Sequence, residues 1–320
     1  MPSFWPESKI NLDQQTSEIF WNNIKNEVFR ICRHNQLPSD FSTIVKEVYL
    51  PLAAWINGKS QDKEGTVVLG INGAQGSGKS TLCRFLEFLL LEIWTIRAVT
   101  ISIDDLYKTR SQRKYLAKIV HPLFETRGVP GAHDVNLGLK LFQDLKNMKK
   151  GSEPVSIPRF NKALDDRYPE SQWTLCTQVP KVILFEGWCV GACPQLSQDL
   201  EIPVNCLERE KDSEFVWRKY VNSQLEKVYP PLFNQIDYLV MLKIPGIKQV
   251  LKWRKKQEHK LAQSRKSNRG NNRIMTDEEI EEFVMHYQRL TEYMLEEMPQ
   301  RANIILWLNE THQIYKITHS

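Results

Sequence analysis

Residues 73–80 read Gly-Ala-Gln-Gly-Ser-Gly-Lys-Ser, which fits the G-x-x-x-x-G-K-[ST] phosphate loop. An apolar run from Val67 to Ile71 leads in, and Leu82, Phe85, Leu86, Leu89 and Leu90 lead out at helical spacing. That is the strand, loop and helix the motif needs. Glycines let the backbone wrap closely around phosphates. The loop N–H groups and the helix N-terminus then face the anion. Gly73, Ala74, Gln75, Gly76, Ser77, Gly78, Lys79, Ser80 and Thr81 are therefore the expected nucleotide-binding residues. Lys79 should reach the β/γ-phosphates and Ser80 should hold Mg²⁺, with ATP as the triphosphate. The competing reading is a Gly-rich turn before an ordinary helix.

Around this loop, short apolar runs alternate with helical patterns. Strands are expected at 66–71, 97–103, 181–185, 237–243 and 303–308, and helices at 79–94, 134–148, 214–227, 247–263 and 276–297. Alternation of this kind predicts an α/β fold: a parallel five-stranded sheet flanked by helices, with ligands at the carboxyl ends of the strands. Helical patterns at 16–34 and 42–56, the second kinked at Pro51, make residues 1–65 an N-terminal helical extension packed on the core. The chain reads as one domain over residues 1–320. Residues 104–133 and 151–180 are long inserts, assigned to the acceptor pocket because long loops in a compact domain are usually functional. Residues 252–275 are expected to form a lid, with 264–274 mobile.

Three strand ends carry chemistry. The strand 97–103 runs into Asp104, Asp105 and Tyr107. Asp104 there can take the proton from an acceptor hydroxyl, or the two aspartates can cap the next helix. Asp105 and Tyr107 are assigned to the acceptor side. The strand 181–185 ends in Glu186-Gly187-Trp188. Glu186 is the expected second acid of the nucleotide site, orienting Mg²⁺ or its waters, and Gly187 is expected to clear space for phosphate. In the turn-rich stretch 127–134, Arg127 and His133 are candidates to meet an acidic substrate, while Asp134 is as well read as an N-cap. Lys162 and Arg167 are candidates for its carboxylate, Arg by bidentate contact. In the basic helix 247–263, Arg254 is the candidate to stabilise the transferring group, and the other basic residues read as a solvated face.

Composition narrows the class. With 41% hydrophobic and 25% charged residues the chain is globular, and a formal charge of +5 suits anionic small molecules better than nucleic acid. No apolar run is long enough for a membrane span. The cysteines at 32, 83, 176, 189, 193 and 206 include no C-x-x-C pair, which argues against zinc and for reduced thiols in a cytoplasmic setting. No signal or transit peptide is apparent at the N-terminus. A guanine-nucleotide switch would need N-K-x-D, and Asn161-Lys162-Ala163-Leu164-Asp165 is one residue too long.

The ordered series of phosphate loop, Ser102-Ile103-Asp104-Asp105-Leu106-Tyr107, the R-G-x-P-G-x-H-D string ending at Asp134, Pro158-x-Phe160-Asn161-Lys162, Phe185-Glu186-Gly187-Trp188, Tyr229-Pro230-Pro231-Leu232-Phe233, Trp253-Arg254 with Gln257-Glu258, and the M-T-D-E-E-I-x-x-F-V string from Met275 to Val284 resembles the D-glycerate 3-kinases of plants, fungi and cyanobacteria. They are a branch of the phosphoribulokinase, uridine kinase and pantothenate kinase superfamily. The resemblance runs from about Gly70 to Leu308. It implies that Asp104 is the catalytic base, that Glu186 is the second nucleotide acid, and that ATP phosphorylates D-glycerate to 3-phosphoglycerate. In plants and cyanobacteria that reaction closes photorespiration. Where the plant pattern continues from Asp-Lys into a Gly-rich stretch, this chain has Asn161-Lys162-Ala163-Leu164-Asp165. Pantothenate, a nucleoside or a sugar phosphate are the rival acceptors.

Overall fold

The structure is a computed structural model that describes Trp5, residues 12–265 and residues 275–319. Its centre is a six-stranded sheet. In chain order the strands are β1 (Val67–Gly73), β2 (Ala98–Ser102), β3 (Val182–Gly187), β4 (Tyr238–Lys243), β5 (Ile304–Leu308) and β6 (Ile314–His319), and their spatial order is β6-β5-β4-β1-β3-β2. The five strands expected from sequence pair in parallel. The sixth, β6, was not expected. It folds back antiparallel onto β5 through the turn at 309–312. Its pattern, Ile314 and Ile317 buried with Tyr315 and Lys316 exposed, is too weak to stand out from a polar tail.

Both faces of the sheet are covered, so β1 is buried at every position. Leu69 and Ile71 face one side, where they join Leu82, Phe85 and Leu86 of α3 (Lys79–Trp94). Val68 faces the other, with Phe142 of α5 (Val135–Asn147) and Ile183 and Phe185 of β3. Helices α1 (Gln14–His34) and α2 (Leu50–Gln61) place Val28, Leu50, Leu52 and Trp55 in the first of these clusters. The expected kink at Pro51 takes another form. A π-helical turn, Val45–Tyr49, leads directly into α2. Pro51 lacks an N–H and its ring would clash with the carbonyl four residues back, and the wider turn gives that carbonyl room. The helix runs past the expected end at 56, through Gly58 to Gln61.

The two inserts hold more regular structure than their composition suggests. A helix, α4 (Arg110–Ile119), lies in the first. It escaped the sequence reading because its inward face is Arg113, Leu116 and Ala117, with a charged residue at the centre of the buried stripe. The second contains two antiparallel ladders, Val155–Ile157 with Thr174–Cys176 and Phe160–Asn161 with Asp166–Arg167. The remaining large helices are α6 (Val216–Lys227), α7 (Ile247–Arg265) and α8 (Asp277–Glu297). Thr276 and Glu279 form the capping box of α8. Residues 266–274, most of the second half of the expected lid and of the stretch expected to be mobile, lie outside the described residues.

Candidate active site

The phosphate loop joins β1 to α3. Gly76 and Gly78 adopt φ of +78° and +98°, a region that favours glycine. A Cβ on Gly73 would stand 2.6 Å from the Ser77 hydroxyl and 3.3 Å from Lys79 Cγ, so the loop closes on itself only because that position is bare. The Ser77 hydroxyl is buried with no hydrogen-bond partner, and Gly76, Gly78 and Ser80 are exposed at the mouth of the cradle. A buried, unpaired donor beside open backbone N–H groups at a helix start fits a phosphate chain. Lys79 Nζ, which donates to the Ala74 carbonyl at 3.3 Å, lies within the same cradle.

Across the loop, Ser80 donates to Oε1 of Glu186 at 3.1 Å. Glu186 is buried at the end of β3. A hydroxyl and a carboxylate, both hard oxygen donors, suit Mg²⁺, which keeps few protein ligands alongside substrate phosphates. Gly187 is required by the packing of the protein itself. Its missing Cβ would lie 2.3 Å from Ile103 Cγ2, so its bareness makes room for the residue that follows β2.

Asp104 lies on a 3₁₀ turn, Ile103–Leu106, immediately after β2. The register Ser102↔Glu186 sets that turn beside the end of β3. Tyr107 donates to Asp104 Oδ1 at 3.1 Å, and Lys162 donates to Oδ2 at 2.7 Å. Burial alone would raise the Asp104 pKa, but Lys162 and then Lys79 outweigh it and hold the carboxyl below the usual range. Asp104 is therefore ionised at neutral pH. Asp105 faces away. It accepts from Phe160 N–H at 2.9 Å and from Arg159 at 2.8 Å, which anchors the second insert, and burial raises its carboxyl despite those donors.

Lys162 reaches Asp104 because the hairpin carrying it is clamped. Asp165, in the left-handed region at φ +55°, accepts from Arg113 Nη2 at 2.8 Å and from Arg127. Arg113 is fully buried and also donates to the Asp165 carbonyl at 2.6 Å. Asp166 accepts from Arg110 N–H at 2.9 Å. Arg127, expected to meet substrate, is thus engaged with the hairpin. Arg167, expected to grip a carboxylate, is turned inward. It donates to the Tyr107 carbonyl at 2.7 Å and to Asp134 at 3.3 Å. Asp134 is the N-cap of α5, accepting from Leu137 N–H.

His133 is not the cationic contact its sequence context suggests. It is buried and stacks on Tyr107 with ring centroids 4.5 Å apart, and its Nδ1 shares a 2.7 Å hydrogen bond with the Tyr229 hydroxyl. Burial pushes its pKa down to about 3, so it stays neutral. Arg254 lies on α7 and pairs with Glu258 at 3.0 Å. Its neighbour Trp253 packs on Gly76 and stacks on His312, whose Nε2 is 2.8 Å from the Gly76 carbonyl. Arg113 and His312 were not singled out in the sequence, and Asp165 and Tyr229 stood there only inside motif strings, with no role of their own.

Among the described residues, no helix is long and apolar enough to cross a membrane, and no group of three or more His, Cys, Asp or Glu could by itself hold a metal. No family profile matches the chain. Over 229 residues it is 38% identical to a protein of Schizosaccharomyces pombe described as the uncharacterized kinase mug58, covering 69% of this chain and 78% of that one. It is 30% identical over 278 residues to the chloroplastic D-glycerate 3-kinase of Arabidopsis thaliana, covering 81% of this chain but only 57% of the plant protein. In three dimensions it matches the D-glycerate 3-kinase of Cryptococcus neoformans with a TM-score of 0.70 and 24% identity, covering 85% of this chain and 99% of that one. That likeness shows the fold.

Proposed function

Since the chain belongs to the family of phosphate-loop kinases that takes in fission-yeast mug58 and plant D-glycerate 3-kinase, and is a nucleotide-using phosphotransferase, we propose that it phosphorylates the 3-hydroxyl of D-glycerate from ATP. One observation carries the reading: the ammonium of Lys162 stands 2.7 Å from the carboxylate best placed to receive the acceptor's proton. An acidic alcohol supplies both groups that such a pair can serve.

In the proposed reaction the acceptor hydroxyl, hydrogen-bonded to Asp104, attacks the γ-phosphorus. The new O–P bond forms as the bond to the β,γ-bridging oxygen breaks, and ADP leaves. Asp104 orients the hydroxyl and takes its proton late. A carboxylate held below the usual range suits a loose transition state that needs little basicity at the start. Lys79 follows the charge onto the β/γ oxygens, and Arg254 stabilises the group in transit. Mg²⁺ held between Ser80 and Glu186 would screen the phosphate charge. Tyr107 keeps the carboxylate turned to the acceptor. A cytosolic setting belongs to the same proposal, on the ground of six free cysteines.

The test is ADP release by the purified protein with Mg-ATP, with D-glycerate, L-glycerate or pantothenate added. D-glycerate-dependent release with 3-phosphoglycerate as product is the expected result. Stimulation by pantothenate alone would reassign the acceptor.

A further inference from the structure

Both carboxylate oxygens of Asp104 are engaged, and the two partners differ in how readily they can leave. Tyr107 is 3% exposed, packed on the ring of His133 and on Phe160. Lys162 has a side chain 63% exposed, on a flexible stem, at the tip of a hairpin whose backbone is fixed through Asp165, Asp166 and Phe160. Each Asp104 oxygen keeps a second lone pair for an acceptor hydroxyl, but Lys162 on the carboxylate weakens it as a proton acceptor, and the lysine can swing away without the hairpin moving. An ammonium in contact with a carboxylate gives it up most easily for another anion at equal reach.

We propose that Lys162 is a specificity-determining residue that is exchanged between anions: the carboxylate of the incoming hydroxy acid draws it off Asp104 and frees the base. This rests on the reading of the acceptor as D-glycerate and deepens it. A three-carbon hydroxy acid sets its carboxylate a few ångströms from its terminal hydroxyl, within the swing of a four-carbon stem. A neutral alcohol of the same length offers nothing in return, so Lys162 stays where it is and the acceptor meets a neutralised base. The acid group of the substrate thereby serves as the release signal for the residue that acts on its other end. Discrimination comes from the base left neutralised with the wrong acceptor as much as from attraction to the right one.

The experiment compares kcat/KM for D-glycerate and for glycerol in the wild type, Lys162→Met and Lys162→Arg, with thermal melting as the check on folding. The wild type should prefer D-glycerate, Lys162→Met should lower that preference by about 10- to 100-fold, and Lys162→Arg should restore part of it. Equal loss toward both acceptors, or an unchanged preference, would overturn the exchange. A wild type active on D-glycerate whose Met variant keeps the preference sinks the exchange alone. A wild type with no activity on D-glycerate sinks the acceptor reading and the exchange with it.

Discussion

The phosphate loop and the hairpin of Lys162 meet at Asp104, but they are held by different means. The loop is shaped by backbone. Gly76 and Gly78 take positive φ, Gly73 leaves room for Ser77, and β1 is buried between β3 and β4. The hairpin is shaped by charge. Its ladder is two residues long on each strand, and Arg113, Arg127 and Arg159 hold it through Asp165 and Asp105. Phosphate is common to every nucleotide, and a backbone cradle serves it whatever molecule receives the phosphoryl group. An acceptor is particular, and side chains on a short hairpin can be aimed at it.

If that division holds, changes at the two ends should separate in the kinetics. The largest effect is expected at the junction: Asp104→Asn should lower kcat by about 100- to 10,000-fold, with ATP affinity nearly constant by titration. Near-normal turnover in that variant would remove Asp104 as the base. Next comes the clamp. Asp165→Asn keeps a residue tolerant of positive φ but drops the charge that Arg113 and Arg127 share. It should raise KM for the acceptor roughly tenfold, a modest figure because the pair is partly exposed, and leave the KM for ATP alone. A parallel rise in both would mean the ends are not independent.

The smallest effect concerns His133, which supports Tyr107 from behind. Folded, it stays neutral down to about pH 3, whereas in the unfolded chain it takes its proton near the ordinary 6.5. Between these values the unfolded state holds the extra proton. The contribution is therefore complete above pH 6.5 and is lost as the pH falls toward 3. Denaturant unfolding across that window should show His133→Asn with a shallower acid decline, by roughly one proton. Identical slopes would put the buried, neutral histidine in doubt.

The same division explains what could be read from the sequence. Residues 73–80 and the strands ending at Ser102 and Gly187 were visible because backbone-shaped features leave local signatures: glycines at fixed offsets, short apolar runs, an acid just beyond a strand. The acceptor side was legible only as a collection of charged residues. Arg127, Lys162 and Arg167 look alike in a sequence, yet one clamps a hairpin, one meets Asp104 and one turns inward to Asp134. Those pairings join residues 38, 58 and 33 positions apart, and no local pattern selects among them. The helix α4 was hidden for a related reason. Its buried Arg113 belongs to the clamp, so the apolar stripe that would have announced the helix is broken.

The register between β2 and β3, with Ser102 opposite Glu186, sets the two acids of the site on neighbouring strand ends by hydrogen bonds between main chains. No side chain determines that spacing. The loops beyond those strand ends can therefore be rebuilt, lengthened or recharged over evolutionary time while the frame for moving a phosphoryl group stays in place. New acceptors become accessible to such a scaffold by small steps, because each trial begins from chemistry that already works.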